Sequence, residues 1–281
     1  MSSEDFQLQK QGPIGIFDSG YGGLTVFSKI QERLPEYDFI YLGDNARAPY
    51  GPRSFEVVYQ FTREAVLRLF REGCQLVILA CNTASAKALR TIQQQDLPQW
   101  DSARRVLGVI RPTTEIVDKI SRTKHVGVVG TVGTISSKSY SMEIAKLFPH
   151  IQVTGEACPL WVPLVETGEY NSPGADYFVK QHLDRLFLKD PQIDTLILGC
   201  THYPLLLDKI RRYTPMGVTL LPQGEYVAES LADYLMRHTE MDARLTKQSS
   251  RRFLTTESAE KFSEAAAIFL QAPITVERIV L

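Results

Sequence analysis

At 281 residues the chain is longer than most single domains, so one large or two modest domains fit it. Its 44% apolar and 22% charged residues are the mix of a soluble globular protein, and no apolar run approaches the ~20 residues that cross a bilayer. With 31 basic against 32 acidic side chains, no excess charge draws it to nucleic acid or a membrane surface.

The start, MSSEDFQLQKQG, is a polar leader unlike a secretory signal, so a cytoplasmic setting is expected. The first strand signal, IGIFD at 14–18, runs into the glycine-rich turn SGYGG. A second apolar run at 38–42 leads to GDNARAPYG, where Pro49-Tyr50-Gly51 signals a turn. Residues 55–72 carry Val58, Phe61, Ala65 and Leu69 on one helical face. Apolar runs at 76–80, 106–110, 126–130, 152–157 and 195–199 continue the strand series. Helical spacing marks 138–148 and 176–188, and helices are expected around 226–238 and 258–270. Strands rich in Val, Ile and Leu alternating with helices predict an α/β fold with mostly parallel sheets.

The motifs repeat in order. IGIFDSGYGG and VGVVGTVGT are each a strand entering a glycine-containing turn, and each is followed by an apolar strand ending in cysteine, LVILACNTAS and TLILGCTHYP. Two equivalent α/β halves, each delivering one cysteine, are the simplest reading. The stretch LPQWDSARR breaks the pattern. Residues 1–104 together with 222–281 are therefore predicted as the first domain and 105–221 as the second. The last segment is given to the first half because that half is short of helices to cover a sheet.

Cys81 and Cys200 follow buried-looking strands and precede polar pairs, Asn82-Thr83 and Thr201-His202, that suit a helix start. In open parallel sheets ligands bind beyond the carboxyl ends of the strands, where helix N-termini favour a carboxylate and a thiolate. A strand-end cysteine is ordinarily a small core residue. Two in matched contexts, facing one ligand, would instead supply a base on one side of a carbon and an acid on the other. Cys74 and Cys158 lack that context and are read as structural. All four cysteines are expected to stay reduced, and neither their spacing nor the five scattered histidines suggest a metal. Asp18, at a strand's carboxyl end before bare backbone N–H groups, suits an ammonium group, a thiol or an ordinary Asx turn. The glycines after it permit positive φ and close backbone approach, but match neither a dinucleotide fingerprint nor a phosphate loop. His202 suits either a thiol partner or a helix cap.

FDSGYGGLTV, LGDNARAPYG, ILACNTASA and LILGCTHYPLL, with VPLVETG between the last two, resemble the glutamate racemase family in order and spacing over about 14–222. That resemblance implies two pseudosymmetric α/β domains with the active site in the cleft between them, and no cofactor. It implies that Cys81 deprotonates D-glutamate and Cys200 L-glutamate. Asp18 then assists Cys81, and His202 and Glu166 assist Cys200. Ser19, Asn82, Thr83 and Thr201 match residues that hold the amino and α-carboxylate groups. Tyr50 and Gly51 match the turn that receives the side-chain carboxylate through backbone N–H groups. Tyr21, Asn45 and Ala48 depart from the family's commonest residues without replacing a chemical one. A homodimer, a role supplying D-glutamate for peptidoglycan, and in some members control by a cell-wall precursor are implied on the same ground.

Three rival readings remain at this point. An aspartate racemase of the same superfamily would keep the cysteines but lose parts of DSGxGG and GCTHYP. A cysteine hydrolase built on Cys200 and His202 leaves Cys81 without a task, and residues two apart rarely face each other well. A two-lobed binding protein needs no pair of thiols.

Overall fold

The structure, a computed structural model, describes residues 11–270 and 273–281. The first ten residues of the polar leader lie outside the described residues, and with them any reading of its role. The strands in chain order are β1 (Ile14–Asp18), β2 (Phe39–Gly43), β3 (Leu76–Leu79), β4 (Arg105–Gly108), β5 (His125–Gly130), β6 (Gln152–Ala157), β7 (Thr195–Gly199), β8 (Thr219–Leu221), β9 (Arg251–Thr255) and β10 (Val276–Arg278). They form a six-stranded sheet in the order β10-β9-β2-β1-β3-β4 and a four-stranded sheet in the order β6-β5-β7-β8. Every ladder between them is parallel.

The continuous apolar runs explain this layout. IGIFD in β1 and TLILG in β7 are buried at every residue, as central parallel strands with helices on both faces must be. The helix Phe55–Arg71 begins where Ser54 accepts a hydrogen bond from the Val57 N–H and ends with Arg68 and Arg71 near its negative pole. It buries Val58, Ala65, Val66, Leu69 and Phe70 against β1 and β3 residues such as Phe17, Val77 and Leu79. Apart from Ala65, each of these side chains contributes about 1.5–3 kcal/mol of hydrophobic stabilisation.

The repeat seen in the sequence is a repeat of topology. In the large sheet β2-β1-β3-β4 stand side by side, and in the small one β6-β5-β7-β8 stand in the same order. In each, the strand that ends in a glycine-containing turn lies beside the strand that ends in a cysteine. The large sheet is extended beyond β2 by β9 and β10. The helix Gly224–Arg237 also returns to it, burying Val227, Ala228, Leu231 and Leu235 in the cluster that holds Leu24, Phe27 and Ile30 of the helix Leu24–Arg33.

Sheet membership changes a little beyond residue 104, where the sequence puts the domain boundary. β4 pairs with β3, Leu76 opposite Arg105 through Leu79 opposite Gly108, and is the last strand of the large sheet. The chain crosses to the second sheet only after Gly108. LPQWDSARR is a helix end and turn that lead back into the same sheet. A polar break of that kind reads alike whichever sheet the next strand joins.

Candidate active site

Asp18 ends β1, Cys81 and Cys200 follow β3 and β7, and Thr131 follows β5. These strand ends meet across one cavity of about 140 Å³, small beside the ~300–1,000 Å³ of sites for drug-sized ligands. Its walls include Ser19, Tyr50, Gly51, Cys81, Asn82 and Thr83 from the first half. Glu166, Cys200, Thr201 and His202 come from the second. Every site residue expected from the sequence is thus at the wall except Asp18, which is fully buried behind it.

Cys81 caps the helix Asn82–Lys87 itself, its Sγ accepting from the Ala84 N–H at 3.5 Å. The Ser19 hydroxyl lies 3.4 Å from the same sulfur. A helix N-terminus suggests a thiolate, but this one does not prevail. Burial and then the neighbouring Asp18 carboxylate push the thiol up to about 12, against the two hydrogen bonds. Cys81 is therefore protonated at neutral pH.

Cys200 has a different neighbour. His202 Nδ1 lies 3.8 Å from Cys200 Sγ, and His202 Nε2 lies 3.1 Å from Glu166 Oε1. Residues two apart do face each other here, because a turn at Thr201 brings His202 back over the sulfur. Burial alone would lower the imidazole, but its bonds to Cys200 and Glu166 outweigh that and raise it to about 10. The imidazolium so formed stabilises negative charge on the sulfur. His202 makes no side-chain cap to the turn that follows, so the capping role considered for it is not the one it has.

Asp18 accepts from the Gly20 N–H at 3.0 Å, an Asx turn, and from Thr201 Oγ1 at 3.5 Å. Among the described residues it makes no hydrogen bond to Cys81 and acts on that thiol through its charge. Burial raises its carboxyl above the ordinary value, while the His202 charge pulls it down. Asp18 thus lies in the field of both halves.

The glycine-rich turn does not use positive φ; among the described glycines that belongs to Gly73, Gly168 and Gly217. It uses close approach. A Cβ on Gly22 would stand 2.5 Å from both His202 Nδ1 and Thr201 Oγ1. Thr25 Oγ1 adds a hydrogen bond to the Thr201 carbonyl at 2.9 Å, so the loop after β1 is pressed against the loop after β7.

The Tyr50 side chain turns away from the cavity, its hydroxyl on Asp44 and its ring between Phe17 and Phe61. Tyr50 and Gly51 both border the cavity, in a turn held by the Gly133 N–H donating to the Gly51 carbonyl at 2.9 Å. Thr83 and Thr131 hydroxyls meet at 2.9 Å, joining the two halves at the wall.

Thr131 and Cys158 line the cavity and went unnoticed as site residues in the sequence. Thr131 was visible as the counterpart of Ser19, just after the strand of the second repeat. Cys158, read as structural, is fully buried with its Sγ 3.7 Å from the Glu156 carbonyl, and burial keeps its thiol well above the ordinary range. Among the described residues no three of His, Cys, Asp or Glu are grouped to hold a metal ion, and no helix is long and apolar enough to cross a membrane.

The same architecture and sequence recur in known proteins. A glutamate racemase of Shouchella clausii is 42% identical over 259 residues, 92% of this chain and 90% of that protein. Among solved structures, a glutamate racemase isoform from Bacillus anthracis superposes with a TM-score of 0.88 at 37% identity, covering 97% of this chain and 99% of its own. A glutamate racemase from Francisella tularensis, solved in complex with D-glutamate, gives a TM-score of 0.85 at 32% identity, covering 96% and 98%. The sequence model for Asp/Glu/hydantoin racemases matches residues 14–230, a span that holds both cysteines and the whole cavity, and the chain belongs to that family.

Proposed function

We propose that this chain interconverts L- and D-glutamate without a cofactor, passing the α-proton between Cys200 on one face of the carbon and Cys81 on the other. The observation that carries this is the pair of buried thiols at corresponding strand ends of two like-ordered sheets, both lining one small cavity. The relatives act on glutamate, and the most similar of those described share two fifths of this sequence over nine tenths of its length.

In the L-to-D direction the Cys200 thiolate takes the α-hydrogen as a proton and leaves the bonding pair on carbon, delocalised toward the α-carboxylate. Cys81 gives its proton to the opposite face, ending as thiolate while Cys200 ends as thiol. The reverse reaction starts from that reversed state. The thiol pushed up at Cys81 and the imidazolium beside Cys200 suit the two groups to donor and acceptor in this direction. His202, held by Glu166, assists Cys200; Asp18 assists Cys81 through its charge. Ser19, Asn82, Thr83 and Thr201 hold the amino and α-carboxylate groups, and the backbone N–H groups of Tyr50 and Gly51 receive the side-chain carboxylate. An α-proton is far less acidic than a thiol, so fixed dipoles, exclusion of water and close placement must lower the barrier.

On family grounds we place the enzyme in the cytoplasm as a homodimer supplying D-glutamate for peptidoglycan, its two units dividing where the chain crosses between sheets, after Gly108 and after Leu221. The test is incubation with L-glutamate in heavy water, following circular dichroism and α-deuterium, repeated with Cys81→Ala and Cys200→Ala. The expected result is decay of the signal, deuterium appearing first in the D product, and loss of racemisation in both variants. Unchanged signal and α-hydrogen, or full activity in either variant, overturns the reading.

A further inference from the structure

Asn82, the residue after Cys81 and one placed above at the substrate, is held by two buried side chains the chemistry above does not use, Tyr140 and Gln223. The Tyr140 hydroxyl donates to Asn82 Oδ1 at 2.6 Å, Asn82 Nδ2 donates to Gln223 Oε1 at 2.6 Å, and Gln223 Nε2 donates back to the Tyr140 oxygen at 2.6 Å. The three form a closed ring in which each donates to the next. All are almost fully buried, at 2%, 3% and 4% exposure for Asn82, Tyr140 and Gln223.

The direction of the ring is fixed from outside. Gln223 Nε2 also faces the Val109 carbonyl at 3.3 Å and Thr113 Oγ1 at 3.0 Å. Only the amide nitrogen can serve a carbonyl, so Gln223 must offer its oxygen to Asn82. Asn82 must then offer its nitrogen to Gln223 and its oxygen to Tyr140. The backbone at Val109 thereby sets the orientation of a side chain bonded in sequence to Cys81. Asn82 is also the first residue of the helix whose Ala84 N–H bonds the Cys81 sulfur. Tyr140 and Gln223 do not line the cavity.

We propose that Tyr140 and Gln223 are positioning residues for Cys81, acting through Asn82 to hold that thiol at its working place. The inference rests on the two-thiol reading. Because the ring is buried, losing one partner leaves a polar group unsatisfied, and a displacement of ~1 Å at a reacting group costs on the order of 100-fold in rate.

The experiment compares wild type, Tyr140→Phe and Gln223→Met, each checked for a native circular-dichroism spectrum and a cooperative melt. Because the two enantiomers have equal free energy, kcat/KM must fall by the same factor in both directions, here ~10–100-fold. The direction-dependent readout is the α-deuterium isotope effect. If Cys81 alone is displaced, the effect on kcat/KM grows for α-deuterated D-glutamate, whose label Cys81 removes. It shrinks for α-deuterated L-glutamate, whose label Cys200 removes before the slow step. Effects that move together in both directions, or kcat/KM within threefold of wild type in both variants, overturn the inference while leaving the two-thiol reading standing. Wild type that fails to racemise glutamate, or Cys81→Ala that races undiminished, overturns both. If Tyr140→Phe does not fold, Gln223→Met alone decides.

Discussion

Replacing Gly22 with alanine tests whether the site depends on the two halves being pressed together. The backbone at Gly22 is not in the positive-φ region, so alanine adds a methyl group without backbone strain. That methyl would stand 2.5 Å from His202 Nδ1 and from Thr201 Oγ1, where non-bonded heavy atoms ordinarily rest ~3.5–4.0 Å apart. About 1 Å of separation must be found. His202 and Thr201 are 4% and 5% exposed, so either their side chains shift into the cavity they line or the loops after β1 and β7 part. Either movement disturbs the contact of His202 with Cys200 and of Thr201 with Asp18. A displacement of ~1 Å at such groups costs on the order of 100-fold in kcat/KM, and the overpacking costs about 1–3 kcal/mol in stability. Racemisation followed by circular dichroism, together with a thermal melt, reads both. A Gly22→Ala enzyme within threefold of wild-type kcat/KM would refute the claim that close approach is why glycine stands there.

Other substitutions separate side-chain from backbone roles. Tyr50→Phe removes a buried hydroxyl bonded to Asp44 and should cost about 1–3 kcal/mol in denaturant unfolding while changing kcat/KM less than threefold, since that hydroxyl is engaged by a residue outside the cavity wall. Cys158→Ala should likewise keep activity within an order of magnitude and lose about 1 kcal/mol, marking a wall residue that carries no proton; loss of turnover as complete as in Cys200→Ala would contradict that. For His202, folding raises the imidazole from 6.5 to about 10, so folding takes up a proton. Its contribution is therefore full below pH 6.5 and is lost as pH rises through about 10. His202→Asn should flatten the fall in melting temperature across that window, and an unchanged slope would show that the charged imidazole is not what the fold stabilises.

The architecture was legible because central parallel strands write themselves as unbroken apolar runs. IGIFD, LVIL, VGVV and TLILG could be little else, and the two cysteines stand at their ends. The strands that escaped notice are β8 and β10, three residues each and too short to show a period, and β9, whose buried Phe253-Leu254-Thr255 follows two arginines and is too brief an apolar run to read. Which sheet β4 joins was equally hard to read, since it begins with an exposed Arg105 and follows a polar break. Within the site, residue identity and order were readable but protonation was not. A helix N-terminus argues for a thiolate at Cys81, and only the three-dimensional setting shows burial and Asp18 overruling it. The contact of His202 with Cys200 depends likewise on a turn that spacing alone argues against. The ring of Asn82, Tyr140 and Gln223 joins residues far apart in sequence, and no single motif announces it.

The two crossings between the sheets have a mechanical meaning. The chain passes over after Gly108 and returns after Leu221, and Gln223 bonds the first strap to the second through the Val109 carbonyl. A single strap would let one half swivel against the other and carry the two sulfurs out of line. A pair fastened side by side resists that swivel, which on the two-thiol reading keeps each sulfur on its own side of the same carbon.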